Sequence, residues 1–163
     1  ITRVALAALF ILLLSGTLVT VTGASQACSG WPLCDGSLPQ SGLGWLAFAH
    51  RLIVLVAGGL LTVQFFSAWK SQRSQRVLLP AATGAFLFLL GQVFIGALNT
   101  TRGFPADLVG LHAAAAAGLW AAQVVLAGLV ETIELILQQR LAEAVDAAQR
   151  GTQIVRHRVA EGF

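Results

Sequence analysis

The sequence predicts an all-α integral membrane protein, a four-transmembrane-helix up-down bundle followed by a cytoplasmic amphipathic C-terminal helix. Three observations carry that prediction. Of 163 residues, 56% are hydrophobic and only 10% charged, with a mean hydropathy of +0.79. A soluble domain is typically about one quarter charged, so these residues cannot coat a water-facing sphere. Four apolar runs reach the ~20 residues that a helix needs to cross a bilayer, and basic residues concentrate in alternate connections. Composition therefore excludes an ordinary soluble enzyme and a disordered tail. The pI near 9.7 rests on ten Lys and Arg against seven Asp and Glu. Those ten are scattered, so the excess reports topology and no nucleic-acid partner is expected. Methionine is absent, and the sequence is expected to start after the true initiator.

The spans cover residues 4–21, 46–69, 77–98 and 108–130. They are too long for strands and lack alternation. The first exceeds the ~7–15 apolar residues of a signal peptide, and no clear A-x-A site follows, so it is read as a helix. The connection after the first span carries no Lys or Arg, whereas Lys70, Arg73 and Arg76 follow the second. Only Arg102 follows the third, and the tail carries Arg140, Arg150, Arg156 and Arg158. Cationic connections stay inside, which predicts a multi-pass protein of the inner or plasma membrane with both termini cytoplasmic and the first and third connections outside. Membrane lipid is its expected surroundings.

Two domains are expected, the bundle over residues 1–130 and a tail over 131–163. In the tail, Ile133, Ile136, Leu137, Leu141, Ala144, Val145 and Ala148 recur at three- and four-residue intervals, with Glu134, Arg140, Glu143, Asp146 and Arg150 between them. That pattern is an amphipathic helix continuing out of the fourth span, lying on the membrane surface or against a neighbouring subunit. Gly151 is read as its break, leaving a basic piece with Ile154, Val155 and Val159. No internal repeat is expected.

Ionisable residues within spans are costly and are functional candidates by default. Here they are His50, Arg51 and His112, with the amides Gln64, Gln92, Asn99 and Gln123. His50 lies about one turn into the second span and His112 about one turn into the fourth. Both spans run outside to inside, so the imidazoles share one depth near the outer face. Two neutral imidazoles on parallel helices make a pair of axial ligands for one haem iron; the alternative for each is a structural, hydrogen-bonded histidine. Residues 113–117 (all Ala), Gly118, Ala47, Ala49, Ala57, Gly58 and Gly59 leave room for a porphyrin, or equally for close helix packing. Arg51 either snorkels to headgroups or pairs with a haem propionate, and Arg102 is a second propionate candidate. His157, between Arg156 and Arg158, reads as solvated.

Cys28 and Cys34 fall in the first outer connection, where oxidation is permitted. They are expected to form a disulfide, with a redox-active thiol pair as the alternative. Zinc would need about four ligands and covalent haem attachment a C-x-x-C-H motif; neither is found. Trp31 and Trp45 are expected at headgroup level.

Residues 19–25 (Val-Thr-Val-Thr-Gly-Ala-Ser), the Cys28–Cys34 segment with Trp31-Pro32-Leu33 inside it, Ala49-His50-Arg51-Leu52, Gly96-Ala97-Leu98, Gly103-Phe104-Pro105 and Leu108-Val109-Gly110-Leu111-His112 together resemble the haem A synthase family in its four-helix half. The resemblance runs from about Leu14 to Leu119. It implies oxidation of a ring methyl of haem O to a formyl group through successive hydroxylations, giving haem A for cytochrome oxidases. It also implies eight spans in two similar halves, one holding the substrate haem and the other a b-type haem, each between two histidines. His50 and His112 match the ligand positions, and Cys28 and Cys34 the family's cysteine pair. Two departures stand out. One histidine pair implies one haem site, so a homo-oligomer or a subunit of a larger membrane complex, joined through the tail helix, is expected. The family's substrate half also carries a glutamate three residues before the first histidine, where this chain has Ala47, and no catalytic residue is assigned. The competing function is a non-catalytic b-type haem subunit that carries electrons or anchors a respiratory or photosynthetic complex. A transporter-like or purely structural bundle is a weaker alternative, since no broken helix or buried carboxylate of the kind transport sites use is evident.

Overall fold

A computed structural model describes residues 1–34, 36–71, 77–160 and 162. Arg73 and Arg76 lie outside the described residues, as do the side chains of Ile154, Val155, Arg158 and Val159. The chain is an all-α membrane bundle whose four long helices are α1 (Thr2–Val21), α2 (Gly42–Ser71), α3 (Leu78–Thr101) and α4 (Ala106–Ala160), with a short 3-10 turn at Ala24–Ala27. Each is long and apolar enough to cross a membrane.

Helix boundaries follow local chemistry. The amide of Gly44 donates to Ser41 Oγ at 3.1 Å, a side-chain cap that starts α2 four residues before the apolar run begins. Pro80 sits in the first turn of α3, where its missing N–H is not needed. Asp107 lies in the first turn of α4, on the favourable side of the helix dipole. At the end of α3, Gly103 takes φ +72° and the amide of Phe104 donates to Asn99 O at 2.9 Å, the Schellman closure. α1 closes on the similarly left-handed Gly23, φ +68°.

By contact the chain divides into two compact units, Ile1–Ala127 and Gly128–Phe163. In the first, Ala5, Leu9, Leu61, Ala85, Leu89 and Leu119 form one buried cluster, and Val19, Ala24, Cys28, Cys34 and Ala47 form another. Large apolar side chains such as Leu55, Val56, Leu87 and Phe94 point outward, as expected where lipid is the solvent. In the second unit, Arg140 pairs with Glu143 and Arg150 with Asp146 on an exposed helix surface. Gly151 does not break the helix as expected: α4 runs through it to Ala160. A lone glycine costs only about 1 kcal/mol in a helix interior, and Gln149, Arg150 and Gln153 around it are good helix formers.

The buried amides tie helices together. Gln123 Nε2 donates to Gln64 Oε1 at 2.8 Å, joining α4 to α2. Gln92 Nε2 donates to the His112 carbonyl at 2.8 Å, and Asn99 Nδ2 to the Leu108 carbonyl at 3.3 Å, joining α3 to α4. The glutamine pair sits among Leu61, Phe65, Ala82, Ala85, Phe86 and Leu126. Gln64 Nε2 and Gln123 Oε1 are buried without a partner. An interhelical hydrogen bond in a membrane averages about 0.6 kcal/mol, whereas a stranded buried polar group costs ~1–3 kcal/mol. Gln123→Leu alone is therefore expected to destabilise by that larger amount, and Gln64→Leu with Gln123→Leu to be near neutral. Unfolding in detergent, run as a double-mutant cycle, measures both; additive costs would refute the tie.

Candidate functional site

The sites of interest gather where α1 and α3 end and α2 and α4 begin. His50 is the ninth residue of α2 and His112 the seventh of α4, placing each about 9–12 Å from its helix start at 1.5 Å per residue. Both side chains are half-buried.

Each imidazole rests on a glycine of the preceding helix. A Cβ added at Gly16 of α1 would meet His50 Cε1 at 3.1 Å and Nδ1 at 3.8 Å. A Cβ added at Gly96 of α3 would meet His112 Cε1 at 3.4 Å and Nδ1 at 3.9 Å. The two rings thus present the same edge to equivalent glycines. Seven residues beyond each lies a helix-ending glycine with positive φ, Gly23 and Gly103. The pattern Gly-x-Leu-x-Thr-x-x-Gly covers both Gly16 to Gly23 and Gly96 to Gly103. Thr20 and Thr100 occupy the same place in it, and their hydroxyls return to the Gly16 and Ala97 carbonyls. This overturns the expectation of no internal repeat: a short one exists, and it builds the two histidine cradles. Eight residues with four fixed positions are too few to stand out in an apolar sequence.

The cradles differ in one respect. Ser15 Oγ lies 2.8 Å from His50 Nδ1 and also donates to the Leu12 carbonyl at 2.8 Å. Its counterpart before Gly96 is Ile95, and His112 Nδ1 is buried with no hydrogen-bond partner. Sequence reading missed Ser15 and Gly16, and met Gly96 only as part of the resembling segment Gly96-Ala97-Leu98.

Cys28 and Cys34 are joined by a disulfide, with Cα atoms 4.6 Å apart. Arg51 forks over this loop: Nη1 donates to the Pro32 carbonyl at 3.0 Å and Nη2 to the Cys28 carbonyl at 2.7 Å. Neither sequence reading of Arg51 included that contact. Arg102 follows the last residue of α3 and is exposed. Ala47 is buried in one cluster with Val19, Ala24 and both cysteines, so the position three residues before His50 presents a methyl group to the disulfide loop. Trp31 and Trp45 are exposed, the latter edge-on to Phe48, and His157 is exposed in the tail.

Two imidazoles with small neighbours suit an iron bound in a plane better than a bare ion. Among the described residues, His, Cys, Asp and Glu form no group of three or more able to hold a metal by themselves. Ala113, Ala114 and Ala117 beside His112, and Ala49 beside His50, are exposed, so side-chain bulk does not wall off the rings. The residues present fit a haem.

Fold and site together define a helical membrane bundle with paired imidazoles at one end. No family model matches the chain. It is 35% identical over 108 residues to the "Heme A synthase" of Bacillus cereus (strain AH187), and equally to that of Bacillus anthracis (strain A0248), covering 64% of this chain and 35% of each relative. It is 32% identical over 105 residues to the "Protoheme IX farnesyltransferase" of Haloquadratum walsbyi (strain DSM 16790 / HBSQ001), covering 63% of this chain and 22% of that protein. The chain thus spans about a third of the haem A synthases and about a fifth of the farnesyltransferase. The resemblance seen in the motifs is borne out: over this stretch the chain is similar to haem A synthases.

Proposed function

We propose that the chain holds a haem between His50 and His112 near the extracytoplasmic face of a cell membrane, as part of a haem A synthase-like protein that oxidises the ring methyl of haem O to a formyl group. The carrying observation is the pair of imidazoles set in matching glycine cradles at one end of the bundle. The relatives' names add weight. A synthase of haem A and a farnesyltransferase of protohaem perform different reactions, and what their names share is the tetrapyrrole. A segment similar to part of both is best read as one that binds haem.

In this reading His50 and His112 hold the iron, and the alanines of α4 admit the ring. Arg102 would pair with a propionate, while Arg51 secures the disulfide loop through the Pro32 and Cys28 carbonyls. A bound haem supplies one-electron redox chemistry. The chain's own residues bind and orient it and keep the site apolar. In this reading both termini are cytoplasmic, the cysteine loop faces outward, and the chain works as a homo-oligomer or as a subunit of a larger complex.

One observation favours the second reading, a b-type haem subunit that carries electrons: Ala47 packs against the disulfide where the resemblance implies a glutamate. Extraction of haem from the purified chain, identified by chromatography and mass, separates the two. Haem A or hydroxylated haem O is expected if the chain takes part in the oxidation. Haem B alone would replace that function with electron carriage, and a folded chain without haem would overturn both.

A further inference from the structure

We infer that Ser15 is a positioning residue: it sets the tautomer of His50, presenting Nε2 as the ligating atom, and leaves His112 as the more weakly held partner. The tautomer argument concerns this chain's own atoms, while the word "ligating" rests on the proposed haem reading.

A serine hydroxyl has one proton and two lone pairs, and a backbone carbonyl can only accept. Ser15 Oγ stands 2.8 Å from the Leu12 carbonyl and 2.8 Å from His50 Nδ1. If the hydroxyl proton pointed at the imidazole, Oγ and the Leu12 oxygen would face each other at 2.8 Å as two acceptors with no proton between them. Placing the proton on the Leu12 side makes both contacts hydrogen bonds. Nδ1 must then carry a hydrogen and donate it to Ser15, and Nε2 bears the lone pair. In a neutral imidazole the hydrogen bond made by one nitrogen decides what the other can do. An acceptor on the distal N–H of a metal-bound histidine fixes ring orientation and raises ligand basicity. The glycine floor completes the arrangement, since Gly16 lies against the Cε1 edge and limits rotation away from Ser15.

The second cradle serves as an internal control. His112 meets Gly96 through the same ring edge at nearly the same distances, but Ile95 replaces the serine and Nδ1 has no partner. His112 therefore lacks the acceptor that would hold its tautomer and strengthen it as a donor. Two ligands of unequal strength give the site a firm side on α2 and a yielding side on α4, where an exogenous ligand would enter.

The test uses the full chain with 15N-labelled histidine, and the variants Ser15→Ala, Ser15→Thr and Ile95→Ser. Imidazole 15N spectra of the haem-free chain should show His50 protonated on Nδ1, retained in Ser15→Thr and lost in Ser15→Ala. A His50 protonated on Nε2 in the unaltered chain would overturn the inference whether or not haem binds. On the haem-loaded chain, Ser15→Ala should raise the midpoint potential, because a weaker donor stabilises ferric iron less, and should speed haem loss roughly 10–100-fold, the usual effect of removing such a partner. Ile95→Ser should shift the potential the opposite way and slow carbon monoxide binding to the reduced protein. A Ser15→Ala protein with unchanged potential, carbon monoxide kinetics and haem retention would overturn the positioning role. A chain with the expected tautomer that never takes up haem would remove the proposed function and leave the tautomer assignment standing.

Discussion

His50→Ala and His112→Ala are each expected to empty the chain of haem. Removing a partner that merely orients a metal-bound histidine costs roughly 10–100-fold in affinity. Removing the ligand itself deletes a bond to iron and leaves an open coordination position, so the loss should exceed that range. The two variants should not behave alike. With His50 gone, the remaining ligand is His112, whose Nδ1 has no acceptor, and retention should fall below detection. With His112 gone, His50 keeps its Ser15 contact, and any residual haem should be five-coordinate and high-spin. The ratio of haem absorbance to protein in detergent, with helix content as a folding control, reads both effects. Normal haem content in either variant would sink the ligand assignment.

Much of this site was legible in the sequence, and the reason is arithmetic. Rise per residue is fixed along a helix, so two histidines a few residues into two parallel spans must share a depth. The spans were legible because lipid demands a long uninterrupted apolar run. Their ends were less so: the start of α2 is decided by the Ser41 hydroxyl, outside the apolar pattern, and Gly151 looks like punctuation yet stays helical.

The cradle was hidden for a different reason. A glycine in a membrane helix ordinarily signals helix packing, and nothing local distinguishes Gly16 or Gly96 from Gly58 or Gly84. Ser15 was hidden because a serine in an apolar helix ordinarily folds its hydroxyl back to a carbonyl. It does so here, and its second role depends on a ring 35 residues away. Arg51 required knowing that the disulfide loop returns to α2, bringing carbonyls 19 and 23 residues distant under one guanidinium. In each case the missing information was a long-range contact, which residue identity alone does not encode.

Substitution of Gly16 should separate stability from haem binding. In a helix interior alanine is favoured over glycine by about 0.5–1 kcal/mol, so Gly16→Ala would be neutral or stabilising if the position only packed helices. The ring of His50 forbids that outcome for the site: a Cβ there stands 3.1 Å from Cε1, tighter than ordinary contact, and the imidazole cannot swing away without losing Ser15. Gly16→Ala is therefore expected to keep or raise the unfolding temperature while lowering haem retention. Gly16→Leu should abolish retention, because its branches occupy the volume of the ring itself. Gly96→Ala, with 3.4 Å to His112 Cε1, lies at the edge of normal van der Waals distance, and its His112 has no serine to lose, so its effect should be smaller. Thermal unfolding and haem stoichiometry measured on the same preparations test the ordering. Full haem content in Gly16→Leu would show that the ring does not lie against α1 in the working protein. Equal losses of stability and haem in Gly16→Ala would mean that the glycine serves the packing of α1 and not the histidine.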